Sequence, residues 1–314
     1  MTGLAWLFGS AGLIAVTAYV LLLARHLRHP LRRTAGWALA RKRPADPGEL
    51  EAHGGPRVAW SEDRVGPVPF WSLARDEATL ASREAPSVIL LHGWGHSRID
   101  GLARLEPWLS RGFRIVLPDL RGHGDADGPS TLGDRDADDV VAIAETLPPS
   151  PLVLAGHSMG GVVAIRAGVR LSERTSSNAP QLQGVVAIAA YERLRVPAIA
   201  DLHARGYSVG PLIHPLLAVL RLLGIREHST RETASRLPVP LLVVHGERDA
   251  SCPLRDAETF ANAASRGTFV AIPDAGHNDL WREHGQTTVR ALDEWIESLT
   301  STDPITDQTN ASPR

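Results

Sequence analysis

The sequence is poor in cysteine and lacks the common motifs of metal and nucleotide binding. Its single cysteine, Cys252, excludes an internal disulfide framework and a cysteine-rich zinc module. The H-E-x-x-H motif and the G-K-[ST] phosphate loop are absent, and Gly122-x-Gly124 lacks the third glycine of a dinucleotide-binding loop. We therefore expect neither a metal ion nor a cofactor in this protein.

Acidic residues outnumber basic residues outside one short stretch. The net charge is −2, and seven of the 33 Lys and Arg residues fall within residues 25–43, where no acidic residue occurs. The other 26 stand against 35 Asp and Glu residues, so the rest of the chain is acidic. A broad nucleic-acid-binding surface is therefore not expected, and the basic stretch needs a local explanation.

A long apolar run precedes the basic stretch. Leu4 to Leu23 is twenty residues without charge, which as a helix would span roughly 30 Å, the thickness of the bilayer hydrocarbon. Because positive flanks favour the cytoplasm, we predict a single-pass membrane anchor over residues 1–24 with the catalytic part cytoplasmic. A signal peptide would carry Lys or Arg before the run, where Met1-Thr2-Gly3 has none. A cleaved signal peptide and a soluble core helix are the alternatives.

The remaining chain predicts one α/β domain. Residues 25–56 are read as a basic juxtamembrane segment, in contact with lipid headgroups, and a linker. From residue 57 to 299, short apolar runs such as Val88–Leu91 alternate with helix-like segments, which predicts a parallel sheet covered on both faces. Residues 191–237 break this alternation and are expected to form a helical cap. The polar tail, residues 300–314, is expected to be disordered.

One serine lies in the context that nucleophilic catalysis requires. In Gly156-His157-Ser158-Met159-Gly160-Gly161, an apolar strand precedes the serine and a helix follows it. Such a turn holds the backbone in a strained conformation and exposes the hydroxyl above the sheet, so Ser158 is the predicted nucleophile. A second G-x-S-x-G, around Ser208, follows a polar helical stretch and precedes Pro211, so Ser208 is predicted to be an ordinary residue of the cap.

A serine nucleophile needs a base and an orienting acid. His277 follows the last strand-like run and is the predicted base. Asp249 follows the strand-like run 241–244 and lies between Ser158 and His277 in the chain, as the order Ser, acid, His requires. Glu247 and Asp279 are weaker candidates for the acid.

The developing oxyanion needs backbone N–H donors. The N–H of Met159, directly after the nucleophile, is the first predicted donor. The second is the N–H of Trp94, in the loop 92–95 that follows the strand-like run 88–91. His92, at the start of that loop, is expected to be a structural hydrogen-bonding residue.

Taken together, these motifs resemble those of the α/β-hydrolase superfamily. The matching stretches, in order, are HGWG at 92–95, PDLRGHG at 118–124, GHSMGG at 156–161, HGERD at 245–249 and DAGHND at 274–279. They are most similar to the serine-hydrolase branch of lipases, esterases and monoacylglycerol-lipase-like or serine-aminopeptidase-like proteins. The resemblance implies an α/β-hydrolase fold, with an eight-stranded, mostly parallel sheet and a cap after the sixth strand.

These observations lead to a functional hypothesis, a serine hydrolase that cleaves a small carboxylic ester. The anchor and the apolar cap favour a lipid-derived ester. Ser158 stands where haloalkane dehalogenases and epoxide hydrolases carry aspartate, which excludes both. Thioesterases, perhydrolases, peptidases and carbon–carbon hydrolases use the same triad and stay open as alternatives. A non-catalytic membrane-tethered protein of this fold is the alternative outside enzymes.

Overall fold

The computed structural model describes the backbone of residues 2–174 and 179–300, and within these ranges the side chains of residues 11–299. The tail predicted to be disordered lies outside the described residues from position 301 onward.

Within the described residues, eight strands form one sheet, as predicted. In chain order they are β1 (Ala59–Val65), β2 (Val68–Ala74), β3 (Ser87–Leu91), β4 (Arg114–Pro118), β5 (Pro151–His157), β6 (Gln181–Ile188), β7 (Leu241–Gly246) and β8 (Gly267–Ile272). Their order in the sheet is β1-β2-β4-β3-β5-β6-β7-β8. Strands β1 and β2 form an antiparallel hairpin, β2 pairs antiparallel with β4, and all other pairs are parallel. The prediction of an eight-stranded, mostly parallel sheet is confirmed.

Twelve α-helices lie within the described residues. They are α1 (Thr2–Arg28), α2 (Ala35–Leu39), α3 (Glu77–Ala81), α4 (Arg98–Gly101), α5 (Glu106–Leu109), α6 (Asp136–Ala144), α7 (Met159–Ser172), α8 (Arg195–Ala204), α9 (Ile213–Leu222), α10 (Thr230–Ala234), α11 (Leu254–Ala263) and α12 (Gly285–Thr300). Residues 102–110, which suggest one continuous helix, instead form a short 3₁₀ turn (Leu102–Arg104) and then α5. Pro107 has no N–H to donate to the preceding turn, so a new helix begins there.

The sheet separates two apolar layers. Because successive strand side chains point to opposite faces, Ile89 packs against one layer and Val88 against the other. The first layer contains α6, α7, α10 and α11, and the second contains α4, α5 and α12. Strands β3 to β7 are buried almost throughout, which explains their continuous apolar runs.

Residues 191–237, between β6 and β7, contain α8, α9 and α10, and we call them the cap. A third apolar cluster joins the cap to the second half of α1. It contains Val20, Leu23, Ala24 and Leu27 of α1, and Leu202, Ile213, Leu216 and Leu220 of the cap. The 18-residue stretch Ala11–Arg28 of α1 is long and apolar enough to cross a membrane, a test that core helices and signal sequences also pass.

The basic stretch makes contacts inside the domain. The Arg32 guanidinium donates hydrogen bonds to the carbonyl oxygens of Gly124, Ala126 and Gly128, at 3.3, 2.7 and 2.9 Å. Arg33 pairs with Asp100 at 2.6 Å. These arginines hold residues 25–43 against α4 and the loop that follows β4.

Candidate active site

The site lies where the connections of the sheet change direction. From β3 the chain moves outward to β4, whereas from the neighbouring β5 it moves the opposite way to β6. In open α/β sheets such a switch leaves a crevice at the carboxyl ends of the two strands. The loop 92–95 after β3 and Ser158 after β5 both lie at this crevice.

The turn at Ser158 is too crowded for side chains at its flanking glycines. Ser158 has φ +55°, a conformation that non-glycine residues rarely adopt. A Cβ at Gly156 would lie 2.2 Å from the carbonyl carbon of Gly160, and one at Gly160 would lie 2.3 Å from the Leu91 carbonyl oxygen. Strand β5 and helix α7 thus approach each other closely, and the strained turn between them carries the hydroxyl.

The structure brings the three residues of the predicted triad together. The Ser158 Oγ lies 3.1 Å from His277 Nε2, and His277 Nδ1 lies 2.7 Å from Asp249 Oδ2. His277 is therefore placed to accept the serine proton through one ring nitrogen while the other donates to the carboxylate. Of the weaker acid candidates, Asp279 accepts the N–H of Gly276 at 2.9 Å and Glu247 is exposed, whereas the carboxylate that pairs with His277 is that of Asp249.

The Asp249 carboxylate is held in its ionised form. Its side chain is fully buried, and Oδ1 accepts the N–H groups of Ser251 and Cys252, both at 2.8 Å. His245 Nε2 lies 3.3 Å from Oδ2. Burial alone raises the pKa of this carboxyl, but hydrogen bonds from His245 and His277 outweigh burial and bring the pKa below its usual range.

Two histidines support the triad in ways that our sequence analysis missed. One is His245, beside Asp249. The other is His157, whose Nε2 lies 3.0 Å from the carbonyl oxygen of His277. Burial, reinforced by the charge of Arg104, lowers the pKa of His157 well below its ordinary value, so its neutral ring donates to that carbonyl. The only sequence signal was the position of His157 beside the nucleophile.

The two predicted oxyanion donors lie on the same cavity as Ser158. Met159 is the first residue of α7, and the first N–H groups of a helix have no partner within it. Loop 92–95 approaches closely, since a Cβ on Gly93 would lie 3.3 Å from the Ser158 Cβ. His92 Nε2 accepts the N–H of Leu120 at 2.9 Å, as expected of a structural residue below the loop.

The cavity above Ser158 has a volume of about 320 Å³ and lies between the sheet edge and the cap. Its apolar lining includes Leu27, Trp94, Leu132, Tyr191, Leu194 and Ala198. Arg33, Asp201 and Arg205 also contribute to its wall. Such a space fits a small ester with an apolar chain.

Within the described residues, one group of side chains has the spacing of metal ligands, namely Asp249, Cys252 and His277. Two of these belong to the hydrogen-bonded chain that ends at Ser158. Burial, followed by the nearby charge of Asp249, raises the pKa of the Cys252 thiol well above its ordinary value, which disfavours the thiolate that a metal would need. The donor set therefore suits proton transfer better than metal binding.

Known proteins are similar to this chain in sequence. A model of the alpha/beta hydrolase family matches residues 88–291. The pimeloyl-[acyl-carrier protein] methyl ester esterase of Chromobacterium violaceum is 27% identical over 249 residues, covering 68% of this chain and 96% of the esterase.

Two solved structures extend the comparison of folds. An esterase from Pyrococcus furiosus aligns with a TM-score of 0.64 and 17% identity over 87% of this chain and 98% of its own. A membrane phospholipase A aligns with a TM-score of 0.60 and 19% identity over 94% of this chain and 98% of its own. The latter match covers more of this chain than the residues after 56 can supply, so the shared fold extends into the N-terminal segment.

Proposed function

The chain belongs to the alpha/beta hydrolase family, and from this premise we propose that it is a serine hydrolase that cleaves carboxylic esters through an acyl-enzyme. The observation that carries the proposal is the hydrogen-bonded chain from Ser158 through His277 to the buried Asp249. The similarity to a methyl ester esterase supports an ester as the substrate.

The first half of the proposed reaction acylates the serine. His277 Nε2 takes the proton of the Ser158 hydroxyl as Oγ attacks the ester carbonyl carbon. The negative charge on the former carbonyl oxygen is stabilised by the N–H groups of Trp94 and Met159. His277 then gives its proton to the departing alcohol, the carbon–oxygen bond to that alcohol breaks, and the acyl group stays on Ser158.

The second half removes the acyl group. A water molecule loses a proton to His277 Nε2 and attacks the acyl carbon, and the same two N–H groups bind the second oxyanion. His277 returns the proton to Oγ, which releases the carboxylic acid and restores Ser158. Throughout, ionised Asp249 fixes the ring orientation and stabilises the imidazolium form of His277.

The proposed membrane anchor and the side chains that line the cavity indicate the class of ester that serves as the substrate. We place the part of α1 that precedes its contacts with the cap in a membrane as a single-pass anchor, with the catalytic domain on the cytoplasmic side because the basic residues follow the apolar run. Exposed side chains of the basic stretch, including Arg25, Arg41 and Lys42, are available to anionic lipid headgroups. The apolar part of the cavity wall, which includes Leu27, Leu132 and Leu194, then offers a place for the apolar chain of a lipid-derived ester.

Labelling with a fluorophosphonate tests the proposal directly. The full-length protein in detergent is treated with the probe, the modified peptide is identified by mass spectrometry, and hydrolysis of p-nitrophenyl esters from acetate to palmitate is measured in parallel. We expect labelling at Ser158 and loss of hydrolysis in the labelled protein. If the protein shows no labelling and no hydrolysis, the non-catalytic alternative is favoured. Labelling at Ser158 without hydrolysis of any ester would favour a thioester, amide or carbon–carbon bond as the substrate.

A further inference from the structure

The last turn of α1 reaches the cavity that contains Ser158. Leu27 is 3% exposed and lines this cavity together with Leu132, Ala198 and Met159. Leu132 follows β4, Ala198 belongs to α8 and Met159 begins α7. The N-terminal helix therefore supplies one part of a wall that the cap and the body of the domain complete.

Two hydrogen bonds fix this turn of α1 in place. The Trp94 indole Nε1–H donates to the Leu27 carbonyl oxygen at 2.8 Å, and the Ser130 N–H donates to the Arg28 carbonyl oxygen at 2.8 Å. The last carbonyl groups of a helix have no partner within it, so these donors satisfy groups that would otherwise need water. Because Trp94 also belongs to the proposed oxyanion loop, Leu27 has a defined position relative to Ser158.

Contacts with the cap hold α1 both within and before its last turn. The Ser208 N–H donates to the Tyr19 hydroxyl oxygen at 3.1 Å, and His26 Nε2 lies 3.4 Å from Asp201 Oδ2. Tyr19 precedes Leu27 by eight residues, or about 12 Å along the helix axis. Among residues 11–18, the large apolar side chains are exposed, with Leu13 at 68% and Ile14 at 69%. The cavity thus lies a short distance from the apolar surface that the proposed anchor presents to lipid.

From this arrangement we propose that Leu27 is a specificity-determining residue, whose side chain limits the length of the apolar chain that the substrate cavity accepts. The N-terminal helix then contributes a side chain to the substrate cavity in addition to anchoring the protein. The inference rests on the proposed ester hydrolysis and deepens it, since it assigns the apolar chain of the ester to the side of the cavity that α1 closes.

The experiment compares chain-length profiles of full-length variants in one detergent. Two ester series separate the two ends of the substrate, namely p-nitrophenyl esters from acetate to palmitate and alkyl acetates from ethyl to dodecyl. The variants are Leu27→Ala, Leu27→Phe and Leu27→Met. Leu23→Ala is the matched control, because Leu23 is buried in the same cluster on the same helix but is not among the residues that line the cavity.

We expect the ratio of kcat/KM for long against short chains to change in one of the two series. Leu27→Ala raises that ratio and Leu27→Phe lowers it, each by roughly tenfold, the effect of one or two methylene groups in an apolar pocket. Leu27→Met, which conserves volume, and Leu23→Ala keep the wild-type ratio. If Leu27→Phe does not fold, Leu27→Ala against Leu27→Met makes the same comparison.

Other outcomes overturn the inference in distinguishable ways. If Leu27→Ala and Leu23→Ala change kcat/KM for every ester by one common factor, α1 is only a structural support. An unchanged ratio in Leu27→Ala has the same meaning, provided that the variant is folded. If the wild-type protein hydrolyses no ester in either series and takes up no fluorophosphonate, the proposed function fails together with this inference.

Discussion

The chain contains the pattern G-x-S-x-G twice, and the two copies occupy opposite physical settings. The copy at Gly156–Gly160 joins a buried strand to a buried helix, and its serine is 8% exposed. The copy at Gly206–Gly210 lies in the cap, where Ser208 is exposed. Added Cβ atoms at Gly156 and Gly160 would meet backbone atoms, whereas those at Gly206 and Gly210 would meet open space.

The second copy ends a helix. Gly206, at φ +84°, follows the last turn of α8, and its N–H donates to the His203 carbonyl oxygen at 2.9 Å. The Tyr207 N–H donates to the Leu202 carbonyl oxygen at 2.9 Å, which completes a Schellman motif. A five-residue pattern therefore acquires its role from the elements on either side of it.

Substitution of the two serines is expected to give the largest difference in activity between the two copies. Ser158→Ala is expected to lower kcat for ester hydrolysis by at least about 10⁴-fold, because the variant has no nucleophile. Ser208→Ala leaves kcat within about twofold of wild type, because the observed contact of Ser208 with α1 uses its backbone N–H. Steady-state kinetics of both purified variants decide the point, and equal losses in the two would contradict the assignment.

The flanking glycines give the next largest difference. Gly156→Ala puts a methyl group 2.2 Å from the carbonyl carbon of Gly160, so we expect destabilisation by more than about 4 kcal/mol and loss of activity. Gly206→Ala has room for the methyl group but retains a positive φ, which costs about 1–2 kcal/mol. Urea unfolding of both variants measures the difference. Similar losses of stability would mean that crowding does not distinguish the two turns.

Local patterns in the sequence predicted the sheet and the turn at Ser158, because these features depend on neighbours in the chain. The continuous apolar runs of β3 and β7 indicate burial on both faces of the sheet, and the glycines around Ser158 indicate a crowded turn. The positions of His277 and Asp249 followed from the strand-end rule, since the carboxyl ends of parallel strands meet at one edge.

Contacts between distant segments were not predictable in this way. The bond from Trp94 to Leu27 joins residues 67 positions apart, and the bond from His157 to His277 spans 120 positions. The apolar run of α1 has the same composition whether it faces lipid or a cap, so the sequence did not reveal that its second half packs on α9. Arg32 likewise read as a surface charge, although its guanidinium satisfies three carbonyl oxygens.

The carboxylates near the two serines differ in their contribution to stability, and this smaller difference depends on pH. Asp249, behind Ser158, is fully buried, whereas Asp201, in the helix before Ser208, is 25% exposed and pairs with Arg205 at 3.0 Å. The folded-state pKa of Asp249 lies below its unfolded value of about 3.9, so its ionised form stabilises the fold above that pH. This contribution is lost as the pH falls from about 4 toward the folded-state pKa.

Urea unfolding between pH 7 and pH 3 tests this expectation. The free energy of unfolding of wild type is expected to exceed that of Asp249→Asn by a constant amount down to about pH 5, and the gap should narrow below about pH 4. Asp201→Asn should differ little from wild type at any pH, because partly exposed ion pairs contribute little. A gap that stays constant to pH 3 would show that the Asp249 carboxylate gains no stability from ionisation.

The smallest expected effect comes from single hydrogen bonds that α1 makes near the two copies of the pattern, one with Ser208 and one with Trp94. Tyr19→Phe removes the oxygen that accepts the Ser208 N–H, and a single hydrogen bond at a partly exposed site contributes about 0.5–1.5 kcal/mol. We therefore expect a slightly lower melting temperature and unchanged kcat, since Tyr19 lies about 12 Å along α1 from the turn that reaches the cavity.

Trp94→Phe, which removes the donor to Leu27, is the matched comparison because it breaks one hydrogen bond at the other end of the same packed segment. If α1 positions the oxyanion loop, Trp94→Phe lowers kcat at a similar loss of stability. Equal kcat values in the two variants would instead mean that α1 supports both ends in the same, purely structural way.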